Sequence, residues 1–199
     1  MLTIQCQCES TALQWQEPKE LWRLECCCND CTAGVRYLHE AKGGPRPPEH
    51  QMLDTLWLAN DFTVVKGLDN IGVIKRSAES RNTLIYCTAC GTSLITDHVV
   101  YGGKVVITQI QNFPQFQGMS TAPTMPVKAR HFVDDVDADA RDSLPPFSGP
   151  HSEIYGGVSQ TLIDAFPRLY EQGCTGDMNA QRLAEIRGTE YSDAQHIAS

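Results

Sequence analysis

Eight of the chain's nine cysteines fall into three clusters, and their spacing suits metal ligands. Cys6 and Cys8 form a C-x-C. Cys26, Cys28 and Cys31 form a C-x-C-x-x-C, with Cys27 between the first two. Cys87 and Cys90 form a C-x-x-C followed by Gly91, and Cys174 stands alone. Zinc takes four ligands in a tetrahedron, and thiolates suit it. In C-x-x-C-G a tight turn aims both sulfurs at one ion, and the glycine permits a positive φ. In C-x-C on an extended segment the two side chains share a face but stand too far apart for one ion. The chain must therefore bend there to chelate.

The arithmetic suggests two sites. Cys6, Cys8, Cys87 and Cys90 would close a four-cysteine structural site joining an early and a middle strand. Cys26, Cys28 and Cys31 would leave one position for water or a substrate thiol, which is the pattern of catalytic zinc. The plainer alternative is one structural zinc with spare buried cysteines. A thioredoxin-like role for Cys87 and Cys90 lacks the surrounding βαβ pattern. Cys27 reads as a small buried residue, and Cys174 as structural or incidental.

The elements that must hold these clusters read as short strands. Segments 2–7 and 11–16 suggest a hairpin, and 21–27 leads into the second cluster. Segments 56–66, 71–76, 82–86, 93–96 and 104–110 continue the pattern, with 126–133 as the last strand. Short strands without long helices between them predict a mainly β core. Residues 39–55, with Gly43, Gly44, Pro45, Pro47 and Pro48, read as a loop insertion, a lid or binding loop carrying His39 and His50. The run from Leu144 to Pro150 reads as a boundary. Beyond it Val158, Leu162, Ile163, Phe166, Leu169 and Tyr170 suggest one amphipathic helix and 177–187 a second, with Met178, Leu183 and Ile186 as its apolar face. Such helices must bury that face on the core or on another chain. The expected organisation is a zinc-binding β domain over 1–148 and a helical extension over 149–199, the latter suited to a homodimer.

The 199 residues carry 16 Lys and Arg against 24 Asp and Glu, a net charge of −8. So acidic a surface disfavours nucleic-acid backbones and anionic membranes. The expected setting is soluble and cytoplasmic, where clustered cysteines favour metal over disulfides. Nothing in the chain matches a nucleophile elbow, a P-loop or a dinucleotide fingerprint. The run Asp134-Asp-Val-Asp-Ala-Asp139 fails the EF-hand pattern and reads as a turn or helix start.

The order of clusters Cys6-Gln-Cys8, Cys26-Cys-Cys28-Asn-Asp-Cys31 and Cys87-Thr-Ala-Cys90-Gly-Thr92 resembles the glutathione-dependent formaldehyde-activating enzymes, the CENP-V/GFA domain family. The flanks Leu56-Trp-Leu-Ala-Asn-Asp-Phe62 and Pro126 to Pro145 agree, so the resemblance covers about residues 1–148. It implies an Mss4-like fold of small β-sheets around zinc, with structural zinc on Cys6, Cys8, Cys87 and Cys90 and a labile second zinc on Cys26, Cys28 and Cys31. It also implies a carbon–sulfur lyase that uses glutathione as cosubstrate, its thiol held at the open zinc. The three open-site cysteines would then be catalytic. Arg76, Arg81, Lys128 and Arg130 are candidates to pair with glutathione carboxylates, and His131 is a candidate acid or base. His98 reads as a surface residue. The chain departs from the family at Glu9, where glycine is usual, at Leu84, often arginine, and in the longer 39–55 segment. Those departures favour a larger thiol adduct over formaldehyde's. The reading from another class is a non-catalytic, zinc-stabilised binding module of the same fold.

Overall fold

The computed structural model describes residues 1–16, 22–113, 126–149, 151–152 and 177–192. The fold is mainly β. Strands β1 (Leu2–Gln5), β2 (Ala12–Trp15) and β5 (Thr63–Lys66) form a three-stranded sheet in the order β1-β2-β5. The larger, nine-stranded sheet contains β3 (Trp22–Cys26), β4 (Leu53–Ala59), β6 (Ile71–Lys75), β7 (Asn82–Cys87), β8 (Ser93–His98), β9 (Val105–Gln109), β10 (Ala129–His131), β11 (His151–Ser152) and β12 (Glu190–Tyr191). Its order is β11-β10-β3-β4-β9-β8-β7-β6-β12. The strands from β3 to β6 in that order pair antiparallel, while β10 joins β3, β11 joins β10 and β12 joins β6 in parallel.

Strand alternation gives the large sheet two distinct faces. On one, Leu56, Leu58, Ile85 and Val106 pack against Ile4, Leu13 and Trp15 of the small sheet, forming the main core. Trp15 Nε1 donates to the Ala59 carbonyl at 2.7 Å, so the indole's polar atom is satisfied as its ring is buried. On the other face Trp22, Leu24, Trp57, Val105, Ile107 and Ala129 cluster with Tyr101. Beside them Leu38 packs with Ile74, Leu84 and Tyr86.

Leu38 belongs to α1 (Asn29–Lys42), a 14-residue helix that the strand-only reading missed. Its start is set by Cys28, whose sulfur accepts from the Cys31 N–H at 3.3 Å as an N-cap. Its end is set by Gly43, in the left-handed region at φ +71°. Gly34 lets the helix approach β7: a Cβ there would meet Leu84 Cδ2 at 2.8 Å. The expected 39–55 insertion is therefore shorter. Residues 39–42 finish α1 and 53–55 begin β4.

The segment between them meets the second cysteine cluster through Gln51, which donates to the Cys27 carbonyl. Gly44 packs against the turn at Cys87–Gly91, so closely that a Cβ on Gly44 would stand 2.5 Å from the Gly91 carbonyl oxygen. His39 Nδ1 lies 2.7 Å from the Gly44 carbonyl, and His50 faces Ser143. The expected first tail helix lies outside the described residues. The second is present as α3 (Ala180–Arg187), after the short α2 (Ala138–Arg141) in the aspartate run. α3 buries Ala180 and Leu183 in the main core of its own chain and leaves Ile186 exposed. No helix among the described residues is long and apolar enough to cross a membrane.

Candidate metal centre and cavity

The fold brings the cysteines into two groups on opposite faces of the large sheet. Cys6, Cys8, Cys87 and Cys90 have sulfurs all within 4.8 Å of one another, as do Cys26, Cys28 and Cys31. In the first group the β1–β2 turn supplies two thiols and the β7–β8 turn two more, so it ties the small sheet to the large one. Its sulfurs are 3.5 Å apart at Cys6–Cys8 and 3.9 Å at Cys8–Cys87. Tetrahedral zinc with Zn–S bonds of about 2.3 Å sets ligand sulfurs about 3.8 Å apart, so this donor set fits the ion. The strand does bend as chelation requires: Glu9 adopts φ +59°, in the left-handed region. Hydroxyls surround the thiols. Ser10 Oγ is 3.1 Å from Cys8 and 3.3 Å from Cys87, and Thr92 Oγ1 is 3.1 Å from Cys90. The Ser10 contact pulls Cys8 down to about 6, while burial pushes Cys6 up to about 12.

The second group sits where β3 ends and α1 begins. Cys26 is the last residue of β3, Cys28 caps the helix and Cys31 is in its first turn. Cys26 and Cys28 sulfurs are 3.4 Å apart, again compatible with one zinc ion. Hydrogen bonds from the Cys26 and Cys31 thiols hold Cys28 down at about 3, and the bond to Cys28 pushes Cys26 well up. Of the three thiols Cys28 is the one favoured as a thiolate, at the positive end of α1.

These three thiols form part of the wall of a cavity of about 360 Å³. The sheet registers explain the other wall residues. His131 is the partner of Cys26 across the parallel β10–β3 pair and therefore projects from the same face. Trp57 lies opposite Ile107, and Asn82 opposite His98, in their antiparallel pairs. Tyr101 and Phe132 add two more rings. Trp57 is tilted against Tyr101 at 4.9 Å between ring centroids and stacks on His131 at 5.7 Å. Phe132 holds φ +55°, an outlier for so bulky a residue. Burial lowers His98, and it lowers His131 further, to about 4, so both imidazoles are neutral at pH 7.

The candidate cations stand outside the wall, Arg76 and Arg81 beside it. Arg130 follows the opposite alternation from His131 and points to the other face. There it donates to Glu25 at 2.6 Å and to the Pro145 carbonyl at 2.9 Å. Lys128 Nζ lies over the Trp22 ring at 4.3 Å. Arg76 pairs with Asp30 at 2.9 Å, and Arg81 is exposed near His98. None of the four lines the cavity, and neither does any residue of 39–55. Gln51 instead donates to the Cys27 carbonyl at 2.9 Å, to Asn29 Oδ1 at 2.8 Å and to the Asp135 carbonyl at 3.2 Å, bracing the cysteine turn from outside.

His98, which reads in sequence as a surface residue, belongs to this wall, as do Asn82, Trp57, Tyr101, Phe132 and Asp135. The signal for Asn82 was its period-2 relation to Leu84 and Tyr86 on a face covered by α1. Without α1 that face had no assigned role.

No family model matches this chain, and no curated protein matches it. A crystal structure of a Rhodobacter sphaeroides protein is similar at 14% identity with a TM-score of 0.38, covering 76% of this chain and all of that one.

Proposed function

We propose that the protein is a zinc-dependent carbon–sulfur lyase acting on a thiol adduct of an aldehyde, as the resemblance to the glutathione-dependent formaldehyde-activating enzymes implies. The observation that carries this reading is the placement of Cys26, Cys28 and Cys31 in the wall of a ligand-sized cavity. The four-cysteine group, tied between the two sheets, has the place of a structural staple. Cys26, Cys28 and Cys31 would hold the second zinc. When bound, that ion supplies a positive charge and an open fourth position for a thiolate.

The chain's own residues do the rest. The first turn of α1 presents the Cys31 backbone N–H to the Cys28 sulfur and favours negative charge there. Trp57, Tyr101 and Phe132 exclude water from the carbon being attacked or released. In the lyase direction the C–S bond of a hydroxyalkyl thioether breaks, the electron pair stays on sulfur, and the hydroxyl proton leaves as the carbonyl forms. The reverse step joins thiol and aldehyde. His98 and His131 are the wall imidazoles placed to take or return that proton.

The test is exchange between an aldehyde, a thiol and their adduct, followed by NMR on zinc-replete protein. The native chain accelerates exchange, and Cys28→Ser loses the acceleration while keeping zinc at Cys6, Cys8, Cys87 and Cys90. Equal exchange rates with and without the native protein would reject the lyase reading. The zinc-stabilised binding module would then stand in its place.

A further inference from the structure

The wall of the cavity bears on its ligand as much as on its chemistry. It is largely apolar and aromatic, with Leu24, Trp57, Tyr101, Ile107 and Phe132. Among its described residues the acidic side chains are Asp30 and Asp135, and none is lysine or arginine. Zinc on three thiolates would add a net negative charge, and with Asp30 offset by Arg76 an anionic ligand would enter against that charge and Asp135. Asp30 already accepts Arg76 at 2.9 Å, and Asp135 accepts the Asn29 N–H at 2.9 Å.

One polar group in the wall is incomplete. Asn82 is only 5% exposed, and its Nδ2 donates toward Cys31 Sγ at 3.8 Å. Its Oδ1 is buried with no hydrogen-bond partner. A buried amide oxygen left unpaired is costly, so a small turn of the amide that brings it to a ligand's donor in the cavity is favoured. The oxygen belongs to the same amide that reaches a site cysteine, so that donor would sit one or two atoms from a sulfur held there.

We infer that this cavity selects an uncharged thiol adduct with an aromatic or branched apolar body and a hydroxyl beside the sulfur, received by Asn82, in preference to the anionic tripeptide glutathione. The inference rests on the lyase reading for the position of the sulfur. It concerns ligand class, so binding tests it without turnover. The apolar body replaces water against Trp57 and Phe132, the hydroxyl satisfies Asn82 Oδ1, and the missing charge removes the penalty of the acidic wall.

The experiment is calorimetric titration of the zinc-replete full chain with four probes. They are 2-mercapto-1-phenylethanol, 2-phenylethanethiol, 2-phenylethanol and glutathione. The hydroxy thiol is expected to bind at least about tenfold more tightly than glutathione, and about fivefold more tightly than the thiol lacking the hydroxyl. In Asn82→Leu the gap between the two aromatic thiols closes while 2-phenylethanethiol still binds, which shows that the variant keeps its cavity. Glutathione binding as tightly as the aromatic thiols overturns the inference, and a loss of that binding in Arg81→Gln would show that the rim arginine recruits its carboxylate. A hydroxyl preference that survives Asn82→Leu overturns the role of Asn82. If 2-phenylethanol binds as tightly as 2-phenylethanethiol, the sulfur is not held at the cysteines and the lyase reading fails instead. The ligand-class inference is then judged by the alcohol against glutathione.

Discussion

Arg130→Ala separates a structural arginine from a substrate-binding one. Arg130 and Glu25 side chains are 5% and 12% exposed and meet at 2.6 Å. The guanidinium also donates to the Pro145 carbonyl and lies 4.9 Å from the Phe147 ring centroid. Removing it strands a carboxylate in a nearly dry site. Breaking one side of a buried ion pair costs about 3–5 kcal/mol, far more than the ~0–1 kcal/mol of an exposed pair. With a urea m-value of about 2 kcal/mol/M, the unfolding midpoint should fall by about 1.5–2.5 M. Zinc must be buffered at one free concentration so that metal release does not enter the comparison. Replacing both partners, Arg130→Met with Glu25→Leu, should recover most of the loss, because no lone charge then remains. Ligand affinity of the folded Arg130→Ala protein should be unchanged, since Arg130 faces away from the cavity. A midpoint shift below about 0.3 M together with lost affinity for an anionic ligand would refute this reasoning.

Three further outcomes follow from single residues. Glu9→Gly should raise stability by about 0.5–1 kcal/mol, because a left-handed φ of +59° strains a side chain but not glycine; thermal unfolding at fixed zinc measures it, and a loss would contradict the strain. Gly34→Val should cost about 1–3 kcal/mol and loosen α1 from β7, given the 2.8 Å approach of a Cβ to Leu84; unchanged hydrogen exchange in α1 would contradict it. Burial raises the Asp97 pKa, so the native state holds that proton more tightly than the unfolded chain, and this residue's contribution improves as pH falls toward the raised value. Asp97→Asn should therefore be more stable than the native chain at pH 7.5, with the gain shrinking toward pH 5, and a gain that grows on acidification would be the wrong sign.

Both cysteine groups were legible in the sequence because chelating spacings are local and chemically specific. Most strands were legible too, since Trp57, Val73, Ile85 and Val106 lie in runs of β-branched and aromatic residues. α1 was not, because its first turn is hidden in the C-x-C-x-x-C cluster, where metal spacing and helix capping use the same residues. Gly43, at its left-handed C-terminal cap, is the stop signal, but the glycines and prolines around it read equally well as a loop. The cavity wall was harder still. Asn82, His98 and His131 come together through strand register across a sheet, and register is a long-range property. Arg130 illustrates the same limit: one step along β10 separates a cavity residue from an ion pair on the far face.

The central claim is that the chain has one closed and one open thiolate site. Elemental mass spectrometry of protein purified without chelator tests it most directly, on the native chain and on Cys28→Ser. The account predicts about two zinc ions per native chain and about one in Cys28→Ser, with the remaining ion resistant to a mild chelator. About one zinc in both proteins, unchanged when zinc is added back, would show that Cys26, Cys28 and Cys31 do not form a metal site.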